Sequence, residues 1–335
     1  MKNKKRQITP LLLIFLSIAV FISMAYIDIS VNTPQSSFKQ IKKVEIPKGY
    51  SLKKIARLLN EENLIKNYSI FITSAYLRGI SNKLKSGEYE LSTDMTPLEI
   101  MEKLYKGEIV YYKITIPEGY NIKNIANLLE KNELINKEKF ISLTQDREFL
   151  SSLGIKAISL EGYLFPDTYY FSKGMREEEM INKMIESLNN LFTEKLQKRL
   201  QDLNFTIHKI LTLASLIEKE VQIDSERKLV SAVFHNRLKS NMLLQSDPTV
   251  IYVLEDFDGN LKKQDLSYDS PYNTYLYPGL PPTPIANPGT DSIMAALYPA
   301  DVDYLYFVSK NNGEHHFSST FKEHNEAVKK YQLKR

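Results

Sequence analysis

The chain has 335 residues, 43% of them hydrophobic and 25% charged, enough for about two or three domains with buried cores and too apolar for a disordered polymer. Forty-four basic residues stand against forty acidic ones, and the formal net charge of +4 is scattered along the chain, so nucleic acid is not an expected partner. With no cysteine, disulfides, thiolate metal sites and thiol nucleophiles are excluded.

"MKNKKRQ" precedes an uncharged run from Ile8 to Ile27. As a helix, that run would span roughly 30 Å of hydrocarbon. The basic flank from Lys2 to Arg6 predicts a cytoplasmic tail at 1–7, a transmembrane helix at 8–27 and an extracytoplasmic remainder. A cleaved signal peptide is the competing reading, since Ser23-Met24-Ala25 is a small-x-small sequence; the length of the apolar run favours an anchor. Residues 28–40, "DISVNTPQSSFKQ", read as a polar linker.

An internal repeat follows. "VEIPKGYSLKKIARLLNEENLIKN" at 44–67 matches "ITIPEGYNIKNIANLLEKNELINK" at 114–137, an offset of 70 residues. Each copy predicts a short strand, a turn at Pro-x-Gly, and a helix capped by Ser51 or Asn121. The helices would bury Leu52, Ile55, Ala56 and Leu59 in one copy, and Ile122, Ile125, Ala126 and Leu129 in the other. Between the copies, a strand is expected at Gly87 to Leu91 and a helix after Thr96-Pro97. This strand, turn and amphipathic helix resemble the LysM module, which binds N-acetylated glycans such as peptidoglycan. The competing reading is an αβ unit that packs on its neighbour and binds nothing.

From 141 the chain turns more helical, with an amphipathic pair expected over 176–202. In "LTLASLIEKEVQIDSERKLV" at 211–230, a helix from about His208 to Val221 would be apolar nearly all round, with Glu218 and Glu220 at its end. Desolvation there would raise a carboxyl pKa towards that of a general acid near neutral pH. Spacing alone leaves both glutamates open, along with the plainer reading of a helix end paired to Lys219 and Arg227.

Three further clusters carry polar groups among aromatics or prolines. "LEGYLFPDTYYF" at 160–171 sets Glu161 and Asp167 among five aromatic rings, a mixture suited to sugar faces and hydroxyls as well as to a plain packed turn. "FHNRLKSNMLLQSDPTVIY" at 234–252 contributes Asn236, Arg237, Gln245, Asp247 and Thr249, and "SPYNTYLYPGLPPTPIANPG" at 270–289 sets Asn273 and Thr274 between tyrosines. The chain then predicts a strand at 304–309 and a last helix starting near His324. His315, His316 and His324 lack metal-ligand spacing, and no G-x-S-x-G elbow or P-loop is present, so neither a metal nor a cofactor is expected.

Taken in order, "EGYLFPDTY", "ASLIEKE", "SERKLVSAVFHNRL", "LQSDPTVIY", "YNTY", "GLPPTPIANPG", "YLYFV" and "HHFSSTFKEHN" resemble the YceG-like family of endolytic murein transglycosylases over about residues 44–330. The resemblance implies an α+β protein with an N-terminal transmembrane helix, a LysM-like region at 41–140 and a mixed α+β catalytic domain at 141–335. It implies a single-pass inner-membrane lytic transglycosylase, a carbon–oxygen lyase that cuts nascent peptidoglycan strands internally and leaves 1,6-anhydro-muramyl ends. Glycan strands and the membrane would be its partners, with peptidoglycan synthases beside it.

By the same resemblance the catalytic glutamate is Glu218, the first acid of A-S-h-h-E-K-E, where h is apolar. Glu161, Gln245, Asp247 and Asn273 would contact glycan or support Glu218, and Glu220 would be structural. Two rival expectations are a non-enzymatic, membrane-anchored peptidoglycan-binding scaffold for the synthases, and a carbohydrate hydrolase using Glu161 with Glu218.

Overall fold

The structure, a computed structural model, describes residues 2–254 and 256–333. Met1 of the expected 1–7 tail, and Lys334 and Arg335 at the end of the expected 141–335 region, lie outside the described residues. The architecture is mixed α+β. It forms two compact units, one taking the described residues up to Tyr112 together with Tyr170–Met175, the other Lys113–Tyr169 and the described residues from Arg176 onward.

The first unit begins with α1 (Lys2–Val31). Its segment Leu11–Val31 is long and apolar enough to cross a membrane. Then come β1 (Ile41–Ile46), α2 (Leu52–Glu61), α3 (Tyr68–Leu77), β2 (Gly87–Ser92) and α4 (Pro97–Lys106). Strands β1 and β2 pair antiparallel, from Ile41 opposite Ser92 to Ile46 opposite Gly87. Period-two alternation sends Val44 and Ile46 inward, onto the expected α2 stripe of Leu52, Ile55, Ala56 and Leu59. Phe71, Tyr89, Leu91, Ile100, Met101 and Leu104 complete this core. Each fully buried Leu, Ile or Phe contributes about 1.5–3 kcal/mol.

Helix starts follow local chemistry. Ser51 Oγ accepts from the N–H of Lys54, Asn121 Oδ1 from that of Asn124, and Thr96 forms a capping box with Glu99 ahead of Pro97. Such caps are each worth about 1 kcal/mol.

In the second unit β3 (Tyr112–Thr115, its first residue in the first unit) leads to α5 (Ile122–Lys131), α6 (Lys137–Leu143), α7 (Arg147–Ser152) and β4 (Thr168–Phe171, its last two residues in the first unit), which pairs with β3. The second repeat copy thus falls here, with Ile122, Ile125, Ala126 and Leu129 buried as expected. The charged stretch after Arg176 forms α8 (Glu177–Leu191) and α9 (Glu194–Asp202). Next come α10 (Ile207–Glu220), α11 (Arg227–Lys239), α12 (Asp247–Ile251) and α13 (Thr290–Leu297), with α10 packed against the other three. Every residue of α10 from Ile210 to Ile217 is buried.

The C-terminal part departs from expectation in two places. The strand near 304–309 is present as β5 (Tyr306–Ser309), but it pairs with β6 (His315–Ser318), a strand the histidine-rich composition did not suggest. The last helix, α14 (Phe321–Tyr331), begins ahead of His324, because Thr320 and Glu323 form a capping box at its start.

Candidate active site

Helix α10 is buried from Ile210 to Ile217 and ends in two partly buried carboxyl groups, Glu218 and Glu220. At that end Glu218 Oε2 accepts from the backbone N–H of Gly289 at 3.1 Å and from Arg227 Nη1 at 3.3 Å. The side chains of Glu218 and Arg227 are 9% and 12% exposed. Arg227 opens α11, and its Nη2 donates to Asp224 at 2.8 Å while Nη1 also donates to Ser292 Oγ on α13. Among the described residues no donor engages Glu218 Oε1, so one oxygen is held and the other is available. The neighbourhood of Glu218 thus contains a guanidinium and an amide N–H, not only the apolar wall that the helical wheel predicts.

The turn of the second repeat copy lies against this carboxylate. A Cβ on Gly119, whose φ of +74° suits glycine, would come 3.6 Å from Glu218 Cγ. A Cβ on Gly289 would come 1.9 Å from the carboxyl carbon of Glu118. Gly289 therefore touches both acids, Glu218 through its N–H and Glu118 through its bare Cα. Glu118 is held above the usual carboxyl range, first by desolvation and then by the charge of Glu218, with Arg227 opposing.

Two buried residues lock that turn in place. Asn287 donates from its backbone N–H and from Nδ2 to the Tyr120 carbonyl, at 2.8 and 2.9 Å, and its own carbonyl accepts from the N–H of Gly119 at 2.9 Å. Its Oδ1 accepts from the N–H of Leu164, and its Nδ2 also donates to Glu161 Oε1. Glu161, 3% exposed, accepts further from the N–H of Ile122 and the Tyr252 hydroxyl. Burial pushes the Glu161 carboxyl up to about 7. "EGYLF" and "PIANPG" meet here, and the Pro284 ring fills the space where a side chain on Gly162 would lie.

The residues singled out from sequence fall into two groups. Glu218, Gln245 and Asp247 lie at partly or fully open positions, and the Tyr275 hydroxyl donates to Asp247 at 2.5 Å. Gln245 has a φ of +49°, unusual for a residue with a side chain. Glu161 and Asn273 are buried within hydrogen-bond networks. Asn273 Nδ2 donates to the Leu266 and Tyr268 carbonyls, and Oδ1 accepts from the N–H of Tyr275. Glu161 therefore has no open side from which to activate a water.

Glu220 is partly buried and accepts from Ser246 Oγ at 2.5 Å; burial pushes it up to about 7, with that bond and the charge of Arg237 opposing. Asn236 and Arg237 bind main-chain carbonyls, at Val302 and Tyr304 and at Leu305 and Leu244. His315 Nδ1 lies 2.7 Å from Glu226.

Sequence reasoning missed Glu118 and Asn287. Glu118 had a signal in the repeat itself, because "IPEGY" differs from "IPKGY" by a charge reversal at its centre. Asn287 stood inside a quoted motif but was masked by the prolines around it.

The sequence profile of the YceG-like family matches residues 44–330. The chain is 38% identical over 304 residues to the endolytic murein transglycosylase of Bacillus subtilis, covering 86% of this chain and 84% of that one. It is 30% identical over 348 residues to the endolytic murein transglycosylase of Streptococcus pneumoniae strain D39, covering 94% of this chain but 63% of that longer relative. The crystal structure of a yceG-like protein from Listeria monocytogenes is similar at a TM-score of 0.59 and 38% identity, over 85% of this chain and 98% of that one. With the family profile covering nearly everything after the apolar helix, the chain belongs to the YceG-like family.

Proposed function

We propose that this protein is a membrane-anchored endolytic lytic transglycosylase of the cell wall. It cuts the β-1,4 bond between N-acetylmuramic acid and N-acetylglucosamine inside nascent glycan strands and so ends their elongation. The observation that carries this reading is the state of Glu218, a carboxylate on a buried helix end with Oε2 held by Gly289 and Arg227 and Oε1 without a donor. The curated relatives bear the matching name.

The chemistry needs one carboxyl group. Glu218 gives its proton to the glycosidic oxygen as the bond to the muramyl anomeric carbon breaks and positive charge builds on the ring. As an anion it then takes the proton of the muramyl O6 hydroxyl while O6 bonds to the anomeric carbon. No water is consumed, and the product carries a 1,6-anhydro ring. Gly289 and Arg227 steady the anion between the two proton transfers.

Gln245 and Asp247 are assigned to glycan contact, because they are exposed and Gln245 sits in a strained backbone region of the kind concentrated at functional sites. Glu161 and Asn273 are assigned to support from behind. In this reading α1 is the single-pass anchor with its basic flank in the cytoplasm, and the order β1, α2, α3, β2 around an antiparallel pair supports a LysM-like glycan-binding role for residues 41–92, which include the first repeat copy.

The direct test is the chemistry of the ends that the detergent-solubilised protein makes from purified peptidoglycan. The reading expects 1,6-anhydro-muramyl ends; reducing muramic ends would mean that water is the acceptor and would overturn it.

A further inference from the structure

An N–H donor and a guanidinium are partners for an anion, yet a general acid has to begin the reaction carrying a proton. The turn Pro117–Tyr120 brings a second carboxyl group, Glu118, onto the Cα of Gly289, the residue whose N–H holds Glu218 Oε2.

Glu118 is not there to make the turn. The first repeat copy builds the same turn with Lys48 at the equivalent position: Gly49 has φ +83° where Gly119 has +74°, and the N–H of Tyr50 reaches the Pro47 carbonyl as that of Tyr120 reaches Pro117. The backbone accepts either sign of charge. Only the second copy, whose turn is fastened by Asn287 against the end of α10, carries an acid.

We infer that Glu118 is a positioning residue for the transglycosylase reaction, the second carboxylate of a pair that holds one proton between them, so that Glu218 meets the glycosidic oxygen as an acid. The inference rests on the transglycosylase reading above. Both side chains meet at Gly289, and two like charges brought near each other each make the other costlier to form. The charged groups facing Glu118 are Glu218, Arg227, Asp291 and Asp224, with the Lys219 ammonium 3.5 Å from the Gly119 carbonyl. Three of the four are acids, so Arg227 alone does not neutralise the cluster. During turnover the proton leaves through Glu218 to the glycosidic oxygen, and the O6 proton returns to the pair, which leaves its proton count unchanged.

The test is the pH dependence of kcat/KM for release of 1,6-anhydro-ended fragments by the full-length protein, with Glu118→Gln, Glu118→Asp and Glu118→Lys compared with the wild type. Removing the like charge in Glu118→Gln should move the alkaline limb down by about one pH unit, so that the rate above neutrality falls about tenfold and recovers to within about twofold under acid conditions. Glu118→Asp should keep the wild-type limb. Glu118→Lys, a residue this turn already accommodates in the first copy, should move it further down. A loss of rate equal at every pH, or an unchanged profile in Glu118→Gln and Glu118→Lys, would overturn the inference while leaving the transglycosylase reading intact. Wild-type protein that releases no anhydro ends at any pH would overturn both.

Discussion

Gly289 donates its backbone N–H to Oε2 of Glu218 at 3.1 Å. The same residue lends its bare Cα to the carboxyl group of Glu118, so a single glycine at the N-cap of α13 sets the spacing of two acids.

That contact makes Gly289→Ala informative. The new methyl would fall 1.9 Å from the Glu118 carboxyl carbon, and the movable end of Glu118 would have to leave. Gly289 has an ordinary φ of −75°, so the backbone accepts alanine without strain. The expected outcome is a pH–rate profile like that of Glu118→Gln, with a change in stability below about 1 kcal/mol. Kinetics across pH, together with thermal unfolding, check it.

Asn287→Ala tests the fastening of the turn. It leaves the buried N–H of Leu164 without its acceptor and removes one donor each from Tyr120 and Glu161. An unsatisfied buried group costs about 1–3 kcal/mol, so the total loss should reach about 3 kcal/mol. Activity should fall further than stability, because the turn carries Glu118 to the site; denaturant unfolding and turnover measured on the same preparation separate the two.

Stability should also depend on pH in a definite direction. Burial raises Glu161 and Glu220 to about 7 from the 4.5 of an ordinary glutamate. For a carboxyl group raised by folding, the folded state binds the proton more tightly than the unfolded state. Its contribution is fully present below about pH 4.5 and is lost as pH rises through about 7. The melting temperature should therefore decline between those values. Glu220→Gln, which keeps an oxygen for the Ser246 hydroxyl but cannot ionise, should flatten part of that decline and raise the melting temperature above neutrality. A steeper decline in the variant would contradict this.

Much of the local structure is legible in the sequence. Ser51, Asn121 and Thr96 cap their helices because the signal lies within four residues, and the buried stripes of α2 and α5 follow from the helical period. The start of α14 was just as local, in Thr320 and Glu323, and was overlooked in favour of His324. The pairing of β6 with β5 and the meeting of Glu118 with Gly289 were hidden for a different reason. Both are contacts between segments that no periodicity links, and Glu118 is exposed in a turn whose sequence explains itself. The apolar helix pointed to a dry surrounding for Glu218; the competing reading, a pairing with Arg227, is present from α11, and the N–H of Gly289 at the cap of α13 joins it without any local signal.

Glu218 carries the chemistry, and Glu218→Gln tests that most directly. Full-length wild-type and variant proteins are incubated with purified peptidoglycan, and the released fragments are read by mass spectrometry. The wild type should release 1,6-anhydro-ended fragments and the variant none, with matching thermal unfolding. Anhydro ends still released by Glu218→Gln at the wild-type rate would contradict that role, and a folded wild-type protein that binds peptidoglycan without cleaving it would favour the scaffold instead.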